Sequence, residues 1–212
     1  MKKSIIKKLF IKLSRILGYE IIDQNDFNSP TLQKELNEEL SIINEKSIIL
    51  PLGVVKITKK VNSVLIIFRT NTDVEIWDQN KKRLFEKPKI EYSLRSLKSL
   101  IRSINFCKTK YPNIKFKTII VDDKSKEDNL NKIKRLINES NLEISITSLN
   151  HDKYKDIIKQ QKNYQTFSNL ASLLQSFELG KEHGEDLVFF VEDDYLHFEP
   201  MMEEMIASYE RI

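Results

Sequence analysis

The chain of 212 residues contains one cysteine, Cys107, and this scarcity restricts the kind of protein it can be. A single thiol excludes an internal disulfide framework and is typical of proteins of the reducing cytoplasm. The sequence also lacks any apolar run of the roughly 18–20 residues needed to span a membrane. Lysines interrupt the apolar residues near the N-terminus, which excludes a signal peptide. We therefore expect a cytoplasmic protein without a membrane-spanning helix.

Strong charge of one sign is also missing, because the formal net charge is only +4. Much of the excess lies within the first fifteen residues, at Lys2, Lys3, Lys7, Lys8, Lys12 and Arg15. The remainder is close to neutral, which argues against a nucleic-acid-binding protein with a broad basic face. The P-loop pattern G-x-x-x-x-G-K-[ST] is absent as well, so ATP hydrolysis of that type is not expected.

Residues 4–17 have the periodicity of an amphipathic helix. Apolar residues recur at helical spacing, basic residues occupy the other face, and Gly18 is a natural stop. Such a helix can lie on an anionic membrane surface at the inner face of the membrane. It can equally pack its apolar side against its own domain. We treat residues 1–18 as a separate segment and leave both interpretations open.

Residues 19–61 form an extension to which we assign no role. A polar helix is predicted from about Pro30 to Lys46, and a strand over Ile48–Ile57 would be broken near Pro51 and Gly53. A hairpin is predicted for residues 74–87, with Trp77 as a packing residue.

Residues 62–212 alternate between buried-strand runs and helical periodicity. Strands are predicted at 64–68, 117–121, 142–149 and 187–191. Helices are predicted at 91–108, at 164–177 with an end near Gly180–Gly184, and at 203–211. A further helix is predicted to begin at a capping box formed by Ser125 and Asp128. This alternation predicts an α/β fold with a mostly parallel, Rossmann-like sheet.

Acidic residues follow two of these strands directly. Glu192, Asp193 and Asp194 end the run that begins at Leu187, and Asp122 and Asp123 end the second strand. The carboxyl ends of parallel strands share one edge of the sheet, where α/β proteins bind ligands, so the two clusters are expected to converge. Clustered carboxylates favour a hard cation such as Mg²⁺ or Mn²⁺. A solvated acidic loop is the alternative.

The two acidic segments resemble motifs of the family 2 glycosyltransferases. The segment Ile119–Ser125, IVDDKS, is similar to the family's IVDDGS segment, and Phe190–Asp194, FVEDD, is similar to its DXD motif. The resemblance covers residues 62–212 and implies a GT-A fold. It also implies transfer of a sugar from a nucleotide-diphosphate donor to a glycan or lipid-linked acceptor, as in the synthesis of cell-envelope polysaccharides.

The resemblance implies a nucleotide-binding role for five residues. Thr70 and Asn71 lie where the family's first loop lines the nucleotide pocket. Asp122 or Asp123 would contact the base or ribose, with a slight preference for Asp123, and Asp193 would contact ribose or be solvated. Uridine is the expected base by frequency alone.

The resemblance assigns the metal to the outer acids of the second motif, Glu192 and Asp194. Asp194 would be the direct ligand of Mn²⁺ or Mg²⁺. The chain departs from the family pattern because Lys124 stands where a glycine is usual and Glu192 where an aspartate is usual.

The catalytic base stays unassigned, because in this family it follows the DXD strand and only eighteen residues follow Asp194. We expect the donor-binding part of a longer protein, with the base beyond Ile212, and therefore nucleotide binding with little or no sugar transfer.

Two other functions stay open. A sugar nucleotidyltransferase is disfavoured because residues 69–73 lack the glycine-rich loop of that class. A non-catalytic nucleotide-binding or assembly module would not depend on metal.

Several other residues have competing interpretations. Arg69 could bind phosphate or form a structural ion pair, Tyr195 could stack on a ring, and Cys107 is predicted in the core. His197 is expected to be a loop residue at the surface. His151 and His183 have no partner at a recognisable spacing.

Overall fold

A computed structural model describes residues 5–19, 43, 47–49, 53–55, 59–73, 87–158 and 164–211. The chain divides into two compact units, one of residues 1–59 with 207–212 and one of residues 60–206. The predicted polar helix and the predicted hairpin, including Trp77, lie outside the described residues except at residues 43 and 87.

The first unit contains a helix and a small antiparallel ladder. Helix α1 spans Ile5–Ile16. Strand β1, Ser47–Ile49, pairs with β2, Gly53–Val55, with Ile48 opposite Val54. The predicted strand over Ile48–Ile57 is thus two short strands that pair with each other.

The second unit is built on a four-stranded sheet in which all strands are parallel. Its strands are β3 (Ser63–Thr70), β4 (Lys115–Asp122), β5 (Glu143–Ser148) and β6 (Leu187–Glu192). Their order is β5-β4-β3-β6, so the chain moves outward from β3 to β5 and then returns to the far side of β3. The predicted α/β class and the parallel, Rossmann-like sheet are confirmed.

Helices connect the strands of this sheet. They are α2 (Lys89–Lys110), α3 (Glu127–Ser140), α4 (His151–Tyr154) and α5 (Tyr164–His183), and α6 (Met201–Arg211) follows β6. No helix among the described residues is both long enough and apolar enough to cross a bilayer.

The predicted capping box at the start of α3 is wrong. The N-cap residue is Lys126, and no side chain caps the helix. The Ser125 hydroxyl instead accepts a hydrogen bond from the backbone N–H of Thr72, 3.1 Å away. A tertiary contact to the end of β3 has therefore replaced the local one.

The core lies on both faces of the sheet. Consecutive residues Ile66 and Ile67 of β3 have no solvent exposure, as expected for a strand covered on both sides. Full burial of each such side chain stabilises the fold by about 1.5–3 kcal/mol. Cys107 is fully buried as predicted, and burial raises the pKa of its thiol to about 12, so it stays protonated.

Candidate functional site

The candidate site is a cleft at the carboxyl edge of the parallel sheet. Its volume is about 620 Å³, and residues that follow β3, β4 and β6 line it together with α5 residues. The edge includes the boundary between β3 and β6, where the strand order reverses and open α/β sheets bind ligands. Asp123 and Asp194 line this one cleft, so the convergence expected of the two acidic clusters is found.

Asp193 is the buried centre of the second cluster, with 7% of its surface exposed. Lys89 Nζ lies 2.6 Å from its Oδ1. The hydroxyls of Thr70 and Ser93 donate to its Oδ2 over 2.8 and 2.6 Å. A buried carboxylate with a cation and two donors is well compensated. Asp193 therefore ties β3 and the start of α2 to the end of β6.

Glu192 forms an ion pair with Arg69. The two residues are register partners on neighbouring parallel strands, which brings their side chains together. Arg69 Nη1 also donates to Oδ1 of Asn169 on α5 at 3.0 Å. Arg69 was expected either to bind phosphate or to form a structural ion pair, and the structure contains the ion pair. The carboxylate of Glu192 is therefore already paired with a cation.

Asp194 differs from Glu192 and Asp193 because, exposed like Glu192, it has no hydrogen bond or ion pair within the described ranges. No group of three histidine, cysteine, aspartate or glutamate side chains is preassembled to hold a metal ion among those residues. Mg²⁺ commonly uses one or two carboxylates, with substrate phosphates completing its shell. A free carboxylate at Asp194 fits that type of site.

Asp123 faces the cleft from the end of β4. The Asn71 amide and the Ser168 hydroxyl donate to its Oδ2, the former over 3.0 Å. His151 Nε2 lies 2.9 Å from Oδ1, which is buried and accepts no hydrogen bond from the described residues. Asn71 and Asp123 are thus in contact, and each carboxylate oxygen of Asp123 has a polar neighbour.

Asp122 points away from the cleft and is 3% exposed. Its Oδ2 accepts a hydrogen bond from the backbone N–H of Ser125 at 3.1 Å, which supports the turn after β4. Burial, above all, raises the pKa of its carboxyl. Of the two aspartates, Asp123 is therefore the one that can meet a ligand in the cleft.

His151 contacts Asp123 behind the cleft, a contact that was not identified from sequence. Besides Asp123, its Nε2 lies 3.2 Å from the Ser168 hydroxyl and 3.3 Å from that of Tyr164, and its ring stacks on Tyr164. The available signal was position, since His151 follows β5 as the acids follow β4 and β6. The rule that strand ends converge applies to every polar residue there, not only to acids.

His197 is not the surface residue that was expected. It is half-buried, its Nε2 is enclosed, and its ring meets the edge of Phe189. Burial lowers the pKa of its imidazole. Neither His197 nor Tyr195 lines the cleft, and Tyr195 is exposed.

Comparison with models of known protein families, with curated proteins and with solved structures gives no match to this chain.

Proposed function

We propose that the chain binds a nucleoside-diphosphate sugar in the 620 Å³ cleft as part of a glycosyltransferase. The sugar would pass to a glycan or lipid-linked acceptor. The observation that supports this most is the presence of Asp123 and Asp194, 71 positions apart in the chain, on one cleft at the point where the strand order reverses. Ligands of open α/β sheets bind at such a point.

The two aspartates would act on different parts of the donor. Asp123, which lines the cleft, would accept a hydrogen bond from the base or ribose. Asp194 would hold Mn²⁺ or Mg²⁺ together with the diphosphate, and the ion would neutralise charge on the departing nucleoside diphosphate. Thr70 and Lys89 keep Asp193 in place, so the strand ends are already positioned before the donor arrives. No general base is assigned.

A non-catalytic nucleotide-binding module is the second candidate. It is favoured by the cations that already neutralise two of the three acids, Arg69 on Glu192 and Lys89 on Asp193. Such a module would bind a nucleotide without metal. The two functions therefore differ in metal dependence.

Calorimetric titration with the diphosphates of uridine, guanosine, adenosine and cytidine, with and without Mn²⁺, tests the proposal. We expect one nucleotide to bind more tightly with Mn²⁺, and Asp123→Ala to weaken that binding. Asp128→Ala is the matched control, because Asp128 is an exposed aspartate on α3 that does not line the cleft. Binding that ignores Mn²⁺ would favour the module, and absence of nucleotide binding would contradict both functions.

A further inference from the structure

Lys124 has a backbone conformation that is unusual for a lysine. Its φ is +57°, in the left-handed region that glycine enters freely and that other residues enter at a cost. Asn141 is the other non-glycine residue with positive φ in the described part of the chain. It stands at the C-cap of α3, where asparagine is well tolerated. A lysine in this conformation points to a role for its side chain.

The Lys124 side chain lies at the boundary of two clefts. It lines the 620 Å³ cleft and a neighbouring cleft of about 800 Å³, and Tyr164 also lines both. Lys124 Nζ donates a 2.8 Å hydrogen bond to the Tyr164 hydroxyl. The hydrogen bond thus holds the exposed ammonium group at the shared boundary.

The charge of Lys124 is the one that remains available in the first cleft. Three described cationic side chains line it. Arg69 is paired with Glu192 and Lys89 with Asp193, whereas Lys124 contacts a neutral hydroxyl. That hydrogen bond raises the pKa of the Lys124 ammonium.

Charge balance indicates what this ammonium would bind. Acids outnumber bases in the lining, so a diphosphate that entered the cleft would be repelled unless a positive charge met it. The acids are Asp73, Asp123, Glu192, Asp193 and Asp194. We infer that Lys124 is a phosphate-binding residue that contacts the diphosphate of the donor. The inference rests on the proposed function and adds a chain-borne cation to the metal at Asp194.

The test compares a nucleoside diphosphate with the corresponding nucleoside, using Lys124→Gly. Loss of a charge-assisted contact should weaken diphosphate binding by about tenfold or more. Nucleoside affinity should be unchanged, and the melting temperature should not fall because glycine suits the left-handed conformation. Lys124→Arg should retain most of the affinity. Asn141→Gly is the matched control, since it makes the same backbone change outside the cleft.

The possible outcomes separate this inference from the proposed function. If the wild-type chain binds the diphosphate and Lys124→Gly binds it equally well, the inference is overturned alone. An equal loss for diphosphate and nucleoside would also overturn it, because the residue would then act on the base or on the cleft shape. If the wild-type chain binds no nucleoside diphosphate, both fall. Lys124→Asn, which also tolerates the left-handed region, repeats the measurement should the glycine variant misfold.

Discussion

The Thr70 hydroxyl donates a 2.8 Å hydrogen bond to Asp193 Oδ2, joining the ends of β3 and β6 where the strand order reverses. Lys89 and Ser93 complete the surroundings of this carboxylate from the start of α2. Asp193 is thereby buried in the wall of the cleft, while the adjacent Asp194 lines the same cleft and is exposed. Consecutive acids in one motif thus have different surroundings, one buried and paired and the other exposed.

Asp193→Ala should lower the free energy of unfolding by about 3 kcal/mol, because it leaves Lys89 as a largely buried charge without a partner. Urea denaturation measures the change. Asp194→Ala is the control and should shift stability by no more than about 0.5 kcal/mol, since Asp194 is exposed and unpaired among the described residues. Equal losses in the two variants would contradict this division. Ser93→Ala, expected to cost about 1 kcal/mol, tests the same network if Asp193→Ala does not fold.

Asp194→Ala should abolish the effect of Mn²⁺ on nucleoside-diphosphate binding without affecting the fold. The physical reason is that Asp194 provides the unengaged carboxylate of the motif, while a cation already holds each of Glu192 and Asp193. Titration calorimetry with and without Mn²⁺ gives the affinity ratio, and circular dichroism checks the fold. A ratio that stays at its wild-type value would remove the proposed metal role of Asp194.

Glu192→Gln distinguishes two roles for Glu192. If the residue serves only as the partner of Arg69, the variant frees a guanidinium beside the cleft, and diphosphate affinity without Mn²⁺ should rise several-fold. If Glu192 is a metal ligand, affinity with Mn²⁺ should fall instead. We expect the rise. Stability should change by less than about 1 kcal/mol, because glutamine keeps an oxygen acceptor for Arg69 and Arg69 keeps its hydrogen bond to Asn169.

Much of the sheet could be predicted because its signals are local. Apolar runs long enough for buried strands, separated by helical periodicity, predict parallel strands whose carboxyl ends share an edge. The convergence of Asp123 and Asp194 follows from that rule without knowledge of the strand order. The same rule does not tell which acid of a pair faces the ligand. In the structure Asp122 turns inward to Ser125, whereas Asp123 faces the cleft.

The contacts that neutralise the acids could not be predicted, because they depend on strand order and register. Arg69 meets Glu192 only because β6 lies beside β3 with these two residues in register. Lys89 reaches Asp193 from the start of α2, and no local sequence pattern indicates that this helix begins beside the end of β6. Metal ligation by Glu192 stays a prediction from the motif, and its ion pair with Arg69 is visible only in three dimensions.

Asp122→Asn should make the protein more stable at neutral pH. Burial raises the pKa of Asp122 above its ordinary 3.8, so the folded state binds this proton more tightly than the unfolded state. The stability that the group contributes is complete below pH 3.8 and is lost as the pH rises through the folded-state pKa. The advantage of the asparagine variant should therefore grow over that window and vanish below it. Denaturant unfolding from pH 3.5 to 7 measures the difference, and a constant difference would contradict the assignment.

Helix α1 has an exposed apolar face, on which Leu9, Leu13 and Ile16 are 67%, 55% and 75% exposed. With the basic residues of the same segment, this face suits an anionic membrane surface, where buried apolar area and charge both contribute to binding. The purified chain should sediment with vesicles containing phosphatidylglycerol, less so as salt rises, and not with phosphatidylcholine alone.

Leu13→Glu should abolish the vesicle binding by placing a charge on the apolar face of α1. Ile157→Glu is the control, because Ile157 is similarly exposed at 64% but belongs to the second unit. The alternative, that α1 packs against its own protein, makes the opposite pair of predictions. The wild-type chain would then ignore vesicles, and Leu13→Glu would lower the melting temperature. The two measurements together decide where the apolar face of α1 is buried.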